Sequence, residues 1–104
     1  MKKFLIGFVF LFLLSGDVFA SQISQSCTYN GVPLYGRVKV VNSFPDFKVK
    51  RVTSYADLKV KEVTSFANSC GRWQFVDSFP DFTIKYVDSF EDFKIKFVNS
   101  FEGL

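Results

Sequence analysis

The chain has 104 residues, of which 48% are hydrophobic, 19% aromatic and 22% charged, with no histidine and two cysteines. A chain of this length forms at most one small domain. Without histidine it lacks the commonest general base, the commonest transition-metal ligand and every Ser/His or Cys/His nucleophile pair. Two cysteines alone cannot complete a four-ligand zinc site. Composition therefore argues against an enzyme, and we expect no catalytic residue, no cofactor and no metal.

The first twenty residues have the pattern of a secretory signal peptide. Lys2 and Lys3 form a basic start, residues 4–14 are an apolar run, and residues 18–20 (Val-Phe-Ala) are a small-x-small cleavage site. The alternative is a membrane anchor, but the run is shorter than the roughly 18 to 20 residues that span a bilayer. We expect cleavage after Ala20 and export to the periplasm or the medium, with no membrane attachment afterwards.

The charge pattern bears on partners. The formal net charge of the chain is only +3, and the two signs alternate along it. Such a weak surplus gives no electrostatic case for binding nucleic acid or anionic lipid. We expect a monomer that binds no nucleic acid, and the sequence leaves open an unidentified protein partner.

The two cysteines, Cys27 and Cys70, have only each other as partners in an exported chain. We predict a disulfide between them, which loop-closure entropy would make stabilising by about 4 kcal/mol. A redox-active pair would favour the short C-x-x-C spacing, which these residues do not have.

An eleven-residue repeat dominates the chain from Val41 onwards. The units read VNSFPDFKVKR, VTSYADLKVKE, VTSFANSCGRWQF, VDSFPDFTIKY, VDSFEDFKIKF and VNSFEGL, and the third is two residues longer than its neighbours. Eleven residues could make three helical turns. However, Pro45 and Pro80 would break the interior of such a helix, and the remaining residues favour strands.

We therefore predict an all-β single domain of short strands. Each unit should supply one strand, K-[VI]-K-x-V-x-S-[FY], and one bend at its acidic residue, as in residues 44–47. Both faces of such a strand mix polar and apolar residues, which indicates either a bulge in each strand or partial burial of both faces. Unit positions one, four, seven and nine are the predicted core, for example Val87, Phe90, Phe93 and Ile95.

The predicted organisation has three parts: a signal peptide at 1–20, an irregular N-terminal arm at 21–36 held by Cys27, and a β-repeat domain at 37–104. Within the repeat domain, an acidic residue recurs in the bends, and a regular ladder of such carboxylates could bind calcium. No glycine-rich calcium loop surrounds any member, and Asp in a turn commonly accepts hydrogen bonds from backbone N–H groups two residues further on. We predict that structural role for Asp46, Asp57, Asn68, Asp81 and Asp92.

The only tryptophan, Trp73, lies beside Cys70 in the irregular third unit. Tryptophan is enriched among the residues that dominate binding at protein interfaces. Trp73 is therefore the best single candidate for contact with a partner, although a position in the core is the favoured interpretation.

The repeats share a VDSFPDF-type motif, which is present in residues 41–46, 71–82, 86–92 and 97–101. This motif resembles the repeats of the septoil knot family, small bacterial proteins assigned a seven-crossing 7(1) knot. The resemblance implies a compact, deeply knotted all-β domain without an assigned catalytic residue. With the composition, it leads us to expect a non-catalytic exported domain with a structural or protein-contact role. An inhibitor or antagonist that binds a secreted or envelope protein is the alternative.

Overall fold

A computed structural model, which describes residues 23–104, shows eight strands and no helix in that span, confirming the all-β prediction. The first two strands, β1 and β2, form an antiparallel hairpin, and the other six close a barrel of parallel strands. Residues 23–104 contain no helix that is long and apolar enough to cross a membrane. The predicted signal peptide lies outside the described residues. The strands are β1 (Thr28–Tyr29), β2 (Val32–Pro33), β3 (Gly36–Val40), β4 (Phe47–Arg51), β5 (Leu58–Glu62), β6 (Arg72–Phe75), β7 (Phe82–Tyr86) and β8 (Phe93–Phe97).

Strands that follow each other in the chain are mostly not neighbours in the barrel, whose order is β3-β6-β5-β8-β4-β7. Near the C-terminus, Gly103 exchanges two backbone hydrogen bonds of 2.8 Å with Lys59 and lies against Gly71, between β5 and the start of β6. If Gly103 is counted as a seventh place in the ring, every unit advances by two places in the same direction. Each repeat of the sequence therefore corresponds to one identical step of the chain around the barrel.

The strands are strongly staggered. The first half of β4 pairs with β7, through residues 47–49, whereas its second half pairs with β8, through residues 49–51. The same division occurs in β7, which pairs first with β3 and then with β4. This stagger goes with a strong tilt of the strands to the barrel axis.

The barrel interior is built from alternate strand residues. In β4, Phe47 and Val49 are buried, and in β8 Phe93 and Ile95 are buried. These are unit positions seven and nine, which the sequence analysis assigned to the core. The fully enclosed layer consists of the middle residues of the six strands: Val38, Val49, Val60, Trp73, Ile84 and Ile95.

Unit position four was wrongly assigned to the core, because its aromatic side chains point into solvent. Phe90 is 87% exposed, while Phe93, three residues later, is 1% exposed. The reason is the length of the strand: β4 spans only Phe47–Arg51, whereas the predicted strand ran from Lys48 to Tyr55. Position four thus lies beyond the strand end, in a bend.

The mixed faces of the strands have a simple cause. The segment that joins two consecutive strands crosses the outside of a third strand, so several outward-facing residues, such as Lys85 and Lys94, are half-buried. Residues 87–92, for example, link β7 to β8 and cross β4. We call these segments the crossovers. Of the two alternatives, partial burial of both faces is the one observed.

Candidate functional site

One end of the barrel is closed by the N-terminal arm, which is more ordered than predicted. The ring of Tyr29 in β1 lies 5.3 Å from that of Phe47 and 5.4 Å from that of Phe93, at the starts of their strands. Its hydroxyl donates a 3.5 Å hydrogen bond to Asp92. Burial, with the nearby Asp92 carboxylate, raises the pKa of Tyr29 above its usual value. The arm works as a plug.

A disulfide fixes this plug. Cys27 in the arm is bonded to Cys70, which precedes β6, across a sequence separation of 43 residues. A Cβ on nearby Gly71, whose φ is 84°, would run into the Lys59 carbonyl and the Gly103 backbone. Only glycine fits there. The bridge therefore ties the arm to the place where the C-terminus enters the barrel.

Trp73 is not available to a partner, so that candidate site is corrected. Its side chain is 0% exposed, and its ring packs 5.5 Å from that of Phe82. Its indole Nε1–H donates a 3.1 Å hydrogen bond to the Leu34 carbonyl oxygen. Because the group is apolar, large and internally bonded, Trp73 fills the core and anchors the arm.

The opposite end of the barrel, where the strands finish, is open. The last residue of each of the six barrel strands lines a depression of about 770 Å³, together with Thr64 and Asn99. We call this depression the mouth. The six strand-end residues are Val40, Arg51, Glu62, Phe75, Tyr86 and Phe97.

Arg51 is the best-positioned group of the mouth. Its guanidinium carbon lies 5.3 Å from the centroids of both the Tyr86 and Phe97 rings. Burial raises the pKa of Tyr86 above its usual value; Arg51 opposes that rise and Glu62 adds to it. Two charges of opposite sign and one neutral phenol thus share the mouth.

The acidic residues of the bends are structural, but their partners are distant in sequence rather than two residues away. A carboxylate oxygen of Asp92 accepts a 2.7 Å hydrogen bond from the Lys48 N–H, and the Asp92 N–H donates to the Lys48 carbonyl. Asp57 clamps Lys94 in the same way. Four of the five crossovers are therefore fastened to a barrel strand. The third carries Asn68 at this position, and Asn68 forms no hydrogen bond within residues 23–104, so the structural role predicted for it is not observed. The fastening carboxylates belong to Asp46, Asp57, Asp81 and Asp92.

Six aromatic side chains stand on the outside of the molecule, one in each of the five crossovers and one in the segment after β8. Their φ values lie between 51° and 61°, in the left-handed region, and their exposed fractions between 75% and 98%. The sequence analysis missed this set because it assigned position four to the core. We call them the aromatic tips: Phe44, Tyr55, Phe66, Phe79, Phe90 and Phe101.

Comparison with known proteins matches the sequence to a family. The profile of the 7(1) septoil knot domain matches residues 31–104, which include all six barrel strands. The chain belongs to that family. A protein of Synechocystis sp. (strain ATCC 27184 / PCC 6803 / Kazusa), named "Uncharacterized protein slr1025", is 72% identical over 47 residues, 45% of this chain and 42% of that protein. The similarity thus spans less than half of the relative's length.

Within the described part of this septoil knot domain, no three His, Cys, Asp or Glu side chains gather in a group that could hold a metal ion. The fastening carboxylates are separated from each other by the strands they clamp, and their lone pairs serve backbone N–H groups. Within residues 23–104, two features stand out for interaction with other molecules: the mouth and the aromatic tips.

Proposed function

We propose that the protein is a non-catalytic, exported contact module that binds another protein through its aromatic tips. The observation that supports this is that the aromatic tips have strained backbone but gain almost no packing contacts within the chain. A side chain other than glycine in left-handed backbone costs about 1–2 kcal/mol, and a ring such as Phe44, 98% exposed, packs against almost nothing in its own chain. Aromatic side chains are enriched in protein interfaces relative to the rest of the protein surface. An inhibitor of a secreted enzyme is one form that such a module could take.

Cross-linking in the producing cells tests the contact. A photoactivatable phenylalanine analogue replaces Phe90 in one variant and the exposed Asp77, which is not a tip, in the control. We expect one defined adduct from the tip position and none from position 77. Asparagine at all six tips should abolish capture of the same partner while the unfolding midpoint stays near that of the wild type. Equal labelling from both positions would contradict the proposal.

Export is supported by the leader pattern and by the disulfide, because disulfides persist in oxidising compartments. We expect the protein from the periplasm or the medium to have an intact mass that begins at Ser21. A mature species that retains Met1 and fractionates with membranes would contradict this part of the proposal.

We also infer that the backbone is knotted. In support, a path that advances by two places around seven winds twice around a ring, as the 7(1) torus knot does. Folded chains ordinarily avoid threading their own loops. Near-identical units give a partial reason for the exception, because one short strand-and-bend unit is wound repeatedly along the same kind of path. A knotted chain should unfold in one slow step, with nearly uniform hydrogen-exchange protection across residues 41–97. Protection that falls gradually towards both ends would contradict the knot.

A further inference from the structure

We propose that the mouth binds a small zwitterion with an apolar body, such as a short apolar peptide with free ends. The mouth is the open end of the barrel, opposite the plug formed by the arm. It is concave and has both apolar walls and charged groups; its rings Phe75, Tyr86 and Phe97 pack against the core and also line the mouth. Small-molecule sites in proteins combine these features.

The two charged side chains of the mouth, Arg51 and Glu62, are available to bind a ligand. Arg51 is held between two rings, an arrangement that orients a guanidinium while leaving its in-plane N–H donors available. Among residues 23–104, neither Arg51 nor Glu62 forms an ion pair, with each other or with another residue. Arg51 can therefore receive a carboxylate and Glu62 an ammonium group.

The order of strands sets the spacing of these charges. Arg51 ends β4 and Glu62 ends β5, with β8 and its Phe97 between them. The strands are also staggered: Arg51 and Leu58 both pair with Ile95, and Glu62 lies four residues beyond Leu58. At about 4.8 Å per strand and 3.3 Å per residue, the two backbones are roughly 15 Å apart. An extended dipeptide covers about 6–7 Å at 3.3 Å per residue, and the two long side chains span the remainder. Val40 and Phe75, on the other side of the ring, offer an apolar surface to the ligand's side chains.

The repeat itself marks the same residues. Unit position one is valine in every unit and position three is serine, whereas position eleven reads Arg, Glu, Phe, Tyr and Phe. The units are thus uniform where they build the winding and differ in charge and shape where they face the mouth. Such variation within an otherwise regular ring is expected of a surface that recognises an asymmetric ligand.

A zwitterion fits better than a simple anion because Glu62 would repel an anion that Arg51 attracts. The two alternatives respond oppositely to one variant. Glu62→Gln removes a partner of the ammonium group and should weaken a zwitterion, whereas it removes a repulsion and should strengthen an anion.

The first part of the test uses the unaltered protein. Backbone amide shifts are followed while leucyl-phenylalanine, its N-acetyl form or its C-terminal amide is added. We expect the free dipeptide to shift the amides of Arg51 and Glu62, and each capped form to bind about tenfold more weakly, as the loss of one charge-assisted hydrogen bond predicts. Because no substitution is involved, folding defects cannot account for the outcome.

The second part of the test uses variants. Arg51→Gln should remove the preference for a free carboxylate, and Glu62→Gln the preference for a free amine. The control is Arg37→Gln, which changes the same residue type on the exposed outer side of β3 and should leave binding unchanged. No shift at the mouth, or equal binding of all three probes, would overturn the proposal. Tighter binding of the N-acetyl form by Glu62→Gln would replace it with an anion site.

Discussion

At the scale of single residues, the repeat uses the same amino acid for opposite purposes. Phe90 and Phe93 belong to one unit, yet one is exposed in a left-handed bend and the other is buried in the barrel. Hydrophobicity cannot separate them. What separates them is where the strand stops, because alternation towards the core applies only within it. The sequence analysis extended the strand too far and therefore misplaced a whole class of rings.

This difference predicts an unusual pair of effects. Phe90→Asn should leave the free energy of unfolding unchanged or raise it by up to about 1 kcal/mol, because asparagine tolerates left-handed backbone better than phenylalanine. Phe93→Ala, three residues away, should lower it by about 3 to 5 kcal/mol through the cavity it leaves. Urea unfolding measures both. A loss above 1 kcal/mol for Phe90→Asn would mean that this ring packs within its own chain.

The fastening carboxylates give a second pair of residues to compare. Asp57 accepts a 2.8 Å hydrogen bond from the Lys94 N–H, whereas Asp77 is exposed and forms no hydrogen bond or ion pair within residues 23–104. We expect Asp57→Ala to lower the free energy of unfolding by about 1 to 3 kcal/mol, because it leaves a backbone donor without its acceptor. Asp77→Ala should change it by less than about 0.5 kcal/mol. Equal effects would show that the clamp contributes nothing.

At the scale of elements, the crossovers allow very short strands to form a stable barrel. A strand of five residues pairs with each neighbour over half of its length, and a crossover then covers its outer face and fastens to its backbone. The third crossover, residues 63–71, is the long one, and it passes the place that Gly103 occupies. The extra residues of that unit also include Cys70, so the longest crossover carries the bond to the arm.

The arm offers an element-scale prediction. Protein that is unfolded without reductant should show no reactive thiol, since Cys27 and Cys70 are bonded. Replacing both with serine should lower the free energy of unfolding by about 2 to 5 kcal/mol. Hydrogen exchange should quicken most in residues 27–34 and least at the middle of β4. Two labelled thiols per chain in the wild type would contradict the bridge.

At the scale of the whole molecule, composition and repeat were enough to predict the all-β class, one strand per unit and the core at positions seven and nine. The order of strands could not be predicted, because near-identical units give every strand nearly the same pairing preferences. Only the geometry of the closed ring selects one order. The mouth was missed for a related reason: Arg51 and Glu62 come together through that order, although the variability of position eleven was a readable signal.

The seventh place of the ring yields the prediction at this scale. Deleting residues 98–104 removes Gly103, the hydrogen-bond partner of Lys59 in β5, 44 positions earlier in the chain. We expect amide exchange to quicken at Lys59 and around Gly71 as well as in β8. Deleting Leu104 alone, which is 52% exposed, is the control and should change little. If the longer deletion loosens only residues 87–97, the chain is an ordinary stack of repeats.

The step of two places also has a consequence for the order in which the chain can be made. No two of the first three barrel strands, β3, β4 and β5, pair with each other; each finds its partners only among β6, β7 and β8. A chain that emerges from the ribosome therefore has no barrel hydrogen bond to form until about residue 72 is available. For most of its synthesis the nascent chain therefore cannot begin to close the barrel, and only the β1–β2 hairpin can pair.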